Sequence, residues 1–173
     1  MELYLMRHAI AHDIGDDGSR TDAERTLTAE GRANTRAAAQ AMRRLELDFD
    51  AIWTSPLARA RQTADIVAEI LKKPHCLREV PELALGAAPE RVIHALMRLE
   101  RGSSVLLVGH EPDLSRLVAF LVWGSLDADR LDFKKGALCR VDGRFGLGGG
   151  KATLRWFLTP KQLRLLAATD GKA

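Results

Sequence analysis

Short apolar runs that stop at reactive polar residues, each followed by a helix-starting signal, constrain this chain's fold more than any other feature. Residues 2–6 form such a run and end at Arg7-His8. Ala51-Ile52-Trp53-Thr54 ends at Ser55-Pro56, where a cap residue followed by proline predicts a helix running to about Lys72. Ser104-Val105-Leu106-Leu107-Val108 suits a strand buried on both faces, and it ends at Gly109-His110 before a helix predicted over Asp113–Trp123. Between these, Thr28 is a suitable N-cap for a helix to Leu45, with Ala33, Ala37, Ala41 and Leu45 at helical spacing. Cys76–Val80 reads as a further short strand, and Pro89 opens a helix with Val92, Leu96 and Leu99 on its apolar face. Leu138–Asp142 and Thr153–Leu158 read as strands around the Gly-rich turn Gly146–Gly150, with a last helix after Pro160.

Strands alternating with helices imply one α/β domain over residues 1–173, a three-layer arrangement with a mostly parallel sheet and helices on both faces. In such sheets ligands gather beyond the carboxyl ends of the strands. Three of those ends carry the most reactive residues: Arg7-His8, Ser55 to Arg59, and Gly109-His110-Glu111. They are expected to converge on one pocket.

At 173 residues, with 46% hydrophobic and 28% charged residues, the chain is too ordinary in composition for a disordered or fibrous protein. The longest apolar run, Leu114–Trp123, contains Arg116 and is far short of the ~20 residues of a membrane span. The N-terminal run lacks the basic region of a secretory signal, so a cytoplasmic location with no membrane partner is expected. A net charge of +3, from 26 Lys+Arg against 23 Asp+Glu, is spread along helices without interleaved aromatics, which argues against nucleic acid. Cys76 and Cys139 form neither a CxxC pair nor a metal-ligand spacing.

Competing chemistries fail on their own spacings. There is no GxxxxGK[ST] loop, and HExxH fails at Leu114. A cysteine followed six residues later by arginine is also missing, because Cys76 leads to Glu82 and Cys139 to Phe145. Asp13, Asp16 and Asp17 lack the ligand order of a calcium loop and read as a flexible acidic loop. No metal and no cofactor are expected.

Leu5-Met6-Arg7-His8-Ala9 resembles the RHG signature of the histidine phosphatase, or phosphoglycerate mutase-like, superfamily, with Ala9 in the glycine position. Thr54-Ser55-Pro56-Leu57-Ala58-Arg59-Ala60-Arg61-Gln62-Thr63-Ala64 is similar to its second-arginine motif, and Val108-Gly109-His110-Glu111-Pro112 to its second-histidine motif. Within the superfamily, the short chain, Arg25 to Gly31 and the turn Lys134 to Ala137 most resemble the SixA-type phosphohistidine phosphatases.

Phosphoryl chemistry asks for these residue types. Guanidinium forks hold phosphoryl oxygens in a bidentate geometry that lysine cannot reproduce, a role for Arg7 and Arg59. Neighbouring cations disfavour an imidazolium, which leaves a His8 ring nitrogen free to attack phosphorus while its other nitrogen is fixed, expectedly by a backbone carbonyl. His110 is expected to donate to a phosphoryl oxygen, and Arg25, at the end of the first loop, is a further phosphate contact. Arg61, two residues past Arg59, belongs on another helix face. His12, His75 and His94 match no motif. The resemblance to the mutase branch makes Glu82 the positional match for a general acid.

The resemblance implies a metal-independent phosphatase acting on phosphohistidine of a phosphorylated protein, such as a signalling or phosphotransfer domain. A small-molecule phosphomonoesterase or mutase of the same fold is the enzymatic alternative. A non-catalytic, phosphate-dependent binding module is the alternative of another class.

Overall fold

Side chains alternate across each central strand, so a strand that is apolar at every position must be covered on both faces. A computed structural model describes residues 1–128 and 131–168 and shows this arrangement. In chain order the elements are β1 (Glu2–Arg7), α1 (Ala29–Arg44), β2 (Ala51–Thr54), α2 (Ala58–Ile70), β3 (Leu77–Glu79), α3 (Pro89–Leu96), β4 (Ser104–Gly109), α4 (Asp113–Trp123), β5 (Leu138–Gly143), β6 (Ala152–Leu158) and α5 (Pro160–Ala168). They build one six-stranded sheet ordered β3-β2-β4-β1-β5-β6. The first four strands pair in parallel; β5 runs antiparallel to both β1 and β6.

Leu3, Leu5, Val105 and Leu107 face α3 and α4, packing on Ile93, Leu96, Leu114 and Val118. The alternate residues Tyr4, Met6, Leu106 and Val108 face the other layer, where Ala38, Met42, Ala64, Val67 and Leu163 close from α1, α2 and α5. The mixed sheet with helices on both faces is the three-layer architecture read from the sequence. Among the described residues no helix is long and apolar enough to cross a membrane.

Two predicted helices are shorter than their sequence signals. Helix α2 begins at Ala58 rather than at Ser55-Pro56, because the Ser55 hydroxyl accepts from Leu57 N in a turn of its own, at 3.3 Å, before the helix starts. Helix α3 ends at Leu96; Leu99 keeps its place against the same apolar cluster from the turn that follows.

The entry of α1 is fixed by contact with the first loop. Thr28 Oγ1 caps Gly31 N at 2.9 Å, while Thr28 N donates to Ile10 O at 3.1 Å. A Cβ on Gly31 would lie 2.0 Å from that same Ile10 oxygen, so the close approach tolerates only glycine. We expect Gly31→Ala to destabilise the chain by about 1–3 kcal/mol, the usual cost of overpacking. Urea unfolding would measure it, and an unchanged midpoint would show that the loop yields freely.

Candidate active site

Register places the three reactive strand ends together. Arg7 pairs with Gly109 and Thr54 with Val108 across the adjacent strands β1, β4 and β2. Backbone bonds continue the ladder beyond them: His8 N donates to Gly109 O and Ser55 N to Val108 O, each at 3.0 Å. His8, Ser55 and His110 therefore leave the sheet side by side, and the two imidazole rings stand 5.1 Å apart between centroids.

His8 is 6% exposed, and its Nδ1 lies 2.7 Å from Ala9 O. A carbonyl only accepts, so Nδ1 carries the ring proton and Nε2 the lone pair. That lone pair faces the Arg59 Nε–H at 3.2 Å. Burial pushes the His8 pKa down to about 3, aided by the nearby His110, Arg59 and Arg7 and opposed by the bond to Ala9 O. The expected neutral ring is present, yet burial leads and the cations assist.

Arg59 is itself buried on the inner face of α2. Thr63 ties that helix to the loop after β1, donating to Arg59 O at 2.7 Å and accepting from Ala9 N at 3.2 Å. The rest of the Arg59 fork is engaged by Asp22: Nη1 donates to its backbone O at 2.6 Å and Nη2 to Oδ2 at 2.9 Å. Arg25 stands behind Asp22, bonding its Oδ1 at 2.9 Å, His12 O at 2.6 Å and Asp13 at 3.3 Å. Arg25 thus reaches His8 only through Asp22 and Arg59. The bonds from Arg25 and then Arg59 hold the Asp22 carboxyl below its ordinary range.

Arg7 donates through Nη1 to Phe133 O at 2.8 Å, and its buried Nε has no hydrogen-bond partner among the described residues. His110 is 2% exposed, with Nε2 2.7 Å from Ser55 Oγ and with Nδ1 buried and unpartnered among the described residues. Burial lowers its pKa to about 4, with Arg59 and Arg7 acting in the same direction and Asp22 against it. Glu82 lies in the turn Pro81–Leu83 and lines a narrow recess with Gly109, His110 and Asp113. Arg61 points away, paired with Asp65 and Glu79 at the surface.

The site thus gathers a buried Arg59 and a half-buried Arg7 near a neutral histidine whose Nε2 lone pair is unprotonated, the residue types that suit a phosphoryl group. The sequence signature of the histidine phosphatase superfamily (branch 1) matches residues 3–92, which include Arg7, His8 and Arg59. The chain belongs to the histidine phosphatase superfamily. Phosphatase chemistry follows from that membership. The phosphohistidine phosphatase SixA of Escherichia coli is 28% identical over 170 residues, spanning 97% of this chain and 99% of SixA. A structure of the protein histidine phosphatase SixA complexed with tungstate superposes with a TM-score of 0.81 at 27% identity, covering 94% of this chain and 99% of that one. An uncharacterized protein of Picosynechococcus is 37% identical over 161 residues, covering 90% of this chain and 89% of its own length.

The structure adds residues that sequence reasoning left without a role in this histidine phosphatase. Asp22 closes the Arg59 fork, and its only signal was its position three residues before Arg25. Ser55, read as a helix cap, turns its hydroxyl to His110 instead. Glu111 accepts from Ser115 through Oε1, and burial pushes its carboxyl up against the opposing pull of Arg7. The loop read as flexible and acidic is stapled: Asp17 accepts from Ser19 N at 3.1 Å and from Thr26 N at 2.7 Å. Among the described residues no His, Cys, Asp or Glu cluster is arranged to hold a metal.

Because folding depresses both histidine pKa values, the unfolded chain takes up protons that the folded chain refuses as pH falls from about 6.5 toward 4. Their neutrality therefore supports folding above pH 6.5 and opposes it below. Urea unfolding at pH 7 and 4.5 should show a loss of stability that is smaller in a His8→Gln/His110→Gln variant. Equal losses in the two proteins would contradict the assignment.

Proposed function

We propose that the chain hydrolyses phosphohistidine on a protein through a phosphorylated His8. The observation that carries this reading is the state of His8: neutral, its proton held on Nδ1 by Ala9 O, and its Nε2 lone pair directed at the Arg59 guanidinium. Arg59 and Arg7 would hold the equatorial oxygens of the entering group, and the unpartnered Nδ1 of His110 would supply a third contact. As Nε2 forms its bond to phosphorus, the bond from phosphorus to the substrate imidazole breaks, its electron pair returns to that nitrogen, and the ring, protonated on its other nitrogen, leaves neutral. Water then attacks phospho-His8, phosphate departs, and Nε2 regains its lone pair. The positive charge that balances the phosphoryl group comes from side chains, so activity should survive chelators.

An alkoxide leaving group needs a well-placed proton donor, and Glu82, which lines a recess with His110, is the carboxyl that the resemblance to the mutase branch assigns to that role. A substrate imidazole protonated on its other ring nitrogen departs as a neutral ring and relaxes the demand. Near-complete alignment with SixA favours the protein phosphohistidine reading, and the expected partner is a phosphorylated signalling or phosphotransfer domain.

The test compares kcat/KM for a phosphohistidine peptide and for alkyl phosphate esters in wild type and Glu82→Gln. Wild type should prefer the peptide, the variant should lose mainly ester hydrolysis, and His8→Ala should abolish both. Preference for an ester would move the assignment to a small-molecule phosphatase. Near-normal turnover in His8→Ala would remove the covalent route, and phosphate binding without turnover in wild type would leave a binding module. Arg59→Lys should cost more than 10-fold in kcat, since it keeps the charge and loses the fork, an effect on the order of one preorganised donor.

Entry of the phosphoryl group must displace the Asp22 carboxylate from Arg59. Asp22→Asn should bind vanadate about 2- to 5-fold more tightly, the scale of losing one partly exposed ion-pair competitor. Weaker binding by the variant would instead make Asp22 a contributor to the phosphate site.

A further inference from the structure

We infer that Ser55 is a positioning residue that fixes the ring proton of His110 on Nδ1, making this histidine a hydrogen-bond donor toward the reacting group. The inference rests on the reading of His110 as a phosphoryl contact and identifies what makes it competent for that role.

A neutral imidazole has one N–H, so whether it donates or repels at a given nitrogen depends on the tautomer. His110 is almost wholly buried, and burial keeps it neutral. Its two nitrogens have different surroundings: Nε2 lies 2.7 Å from Ser55 Oγ, while Nδ1 is buried with no partner among the described residues.

The Ser55 hydroxyl decides between the tautomers. Ser55 is 0% exposed, and its oxygen already accepts the Leu57 N–H at 3.3 Å. Its own hydrogen has His110 Nε2 as the acceptor in reach among the described residues. If Ser55 donates, Nε2 supplies the lone pair, Nδ1 carries the proton, and Nδ1–H is the single group left waiting. If Ser55 accepts instead, the hydroxyl hydrogen and the Nδ1 lone pair are both stranded. A buried polar group without a partner costs about 1–3 kcal/mol, so the arrangement with one orphan is favoured over that with two. The same choice suits the chemistry. An Nδ1–H stabilises negative charge on a phosphoryl oxygen, and an Nδ1 lone pair opposes it.

The backbone makes the contact dependable. Ser55 and His110 follow adjacent parallel strands, and the bond from Ser55 N to Val108 O at 3.0 Å fixes the serine beside the strand from which His110 emerges. His8 reaches the complementary state by another route, because a carbonyl holds its Nδ1 proton and leaves Nε2 bare. The two histidines thus have the same tautomer, with opposite ends facing their functional partners.

The experiment is long-range proton–nitrogen correlation NMR on the full-length, 15N-labelled protein near pH 7. Resonances of His110 are assigned by their loss in His110→Gln. In wild type, Nδ1 should show the pyrrole-type shift and Nε2 the pyridine-type shift. Ser55→Ala should move population toward the Nε2–H form, and Ser55→Thr, which keeps the hydroxyl, should retain the wild-type pattern. An Nε2–H ring in wild type overturns the inference, as does an unchanged tautomer in Ser55→Ala. The wild-type spectrum alone decides it if the alanine variant does not fold.

Turnover of the same variants separates this inference from the functional reading. Ser55→Ala should lower kcat about 10-fold or more with a smaller change in KM, as when one donor to developing charge is lost, and Ser55→Thr should restore much of it. A changed tautomer with undiminished kcat would uphold the action of Ser55 on the ring and count against His110 as a donor.

Discussion

The in-register parallel pairing of β2, β4 and β1 is the constraint on which the rest of the site depends. Pairing of Arg7 with Gly109 and of Thr54 with Val108 brings all three strands to the same level. The next residues can then meet without long loops, and the ladder bonds from His8 and Ser55 carry the order of the sheet one residue into the site. A slip of one residue would invert the faces of every side chain on a strand, moving Leu5 and Met6 to the wrong layers as well as displacing His8. Core packing and site geometry are therefore specified by one register.

Burial does more of the electrostatic work than the charge pattern suggests. The arginines alone would weaken protonation of His8 and His110, but desolvation is the larger cause for both rings. This division has a structural consequence. Neutrality of the rings does not depend on Arg59 being bare, so the Arg59 fork can be neutralised by Asp22 while His8 keeps its unprotonated Nε2.

Much of this was legible in the sequence, and what was not has identifiable causes. The strand ends at Arg7-His8 and Gly109-His110, the cap at Thr28 and the helix Asp113–Trp123 are local signals, set by neighbours within a turn or two, and they appear in the structure where they were read. Ser55 misled because a serine before proline has a local meaning as a cap, whereas its hydroxyl is claimed by a residue 55 positions away. The surroundings of Arg25 were equally hidden: its place at the loop end pointed toward the site, and no local signal announced that Asp22, His12 and Asp13 take up its donors in this structure. Asp17 looked solvated because acidic loops usually are, and no sequence pattern announces that Thr26 and Ser19 supply its partners. Long-range hydrogen bonds decide side-chain roles, while local signals decide elements.

A site proposed to take a dianion faces a problem when the dianion is absent, since buried guanidinium donors without acceptors are costly. The chain resolves it differently for its two arginines. Arg59 is satisfied by Asp22, whose carboxylate and backbone carbonyl take both terminal nitrogens, and by His8 on Nε. Arg7 has a carbonyl, Phe133 O, on one terminal nitrogen and keeps a buried Nε unpartnered among the described residues. The first arrangement has to be undone by the ligand, because Asp22 sits on a surface turn and competes as an anion. The second need not be, because Phe133 O leaves other donors of Arg7 available. On the proposed reading, binding would begin at Arg7 and reach completion when Asp22 gives up the two terminal nitrogens of Arg59, while the Arg59 Nε stays beside His8.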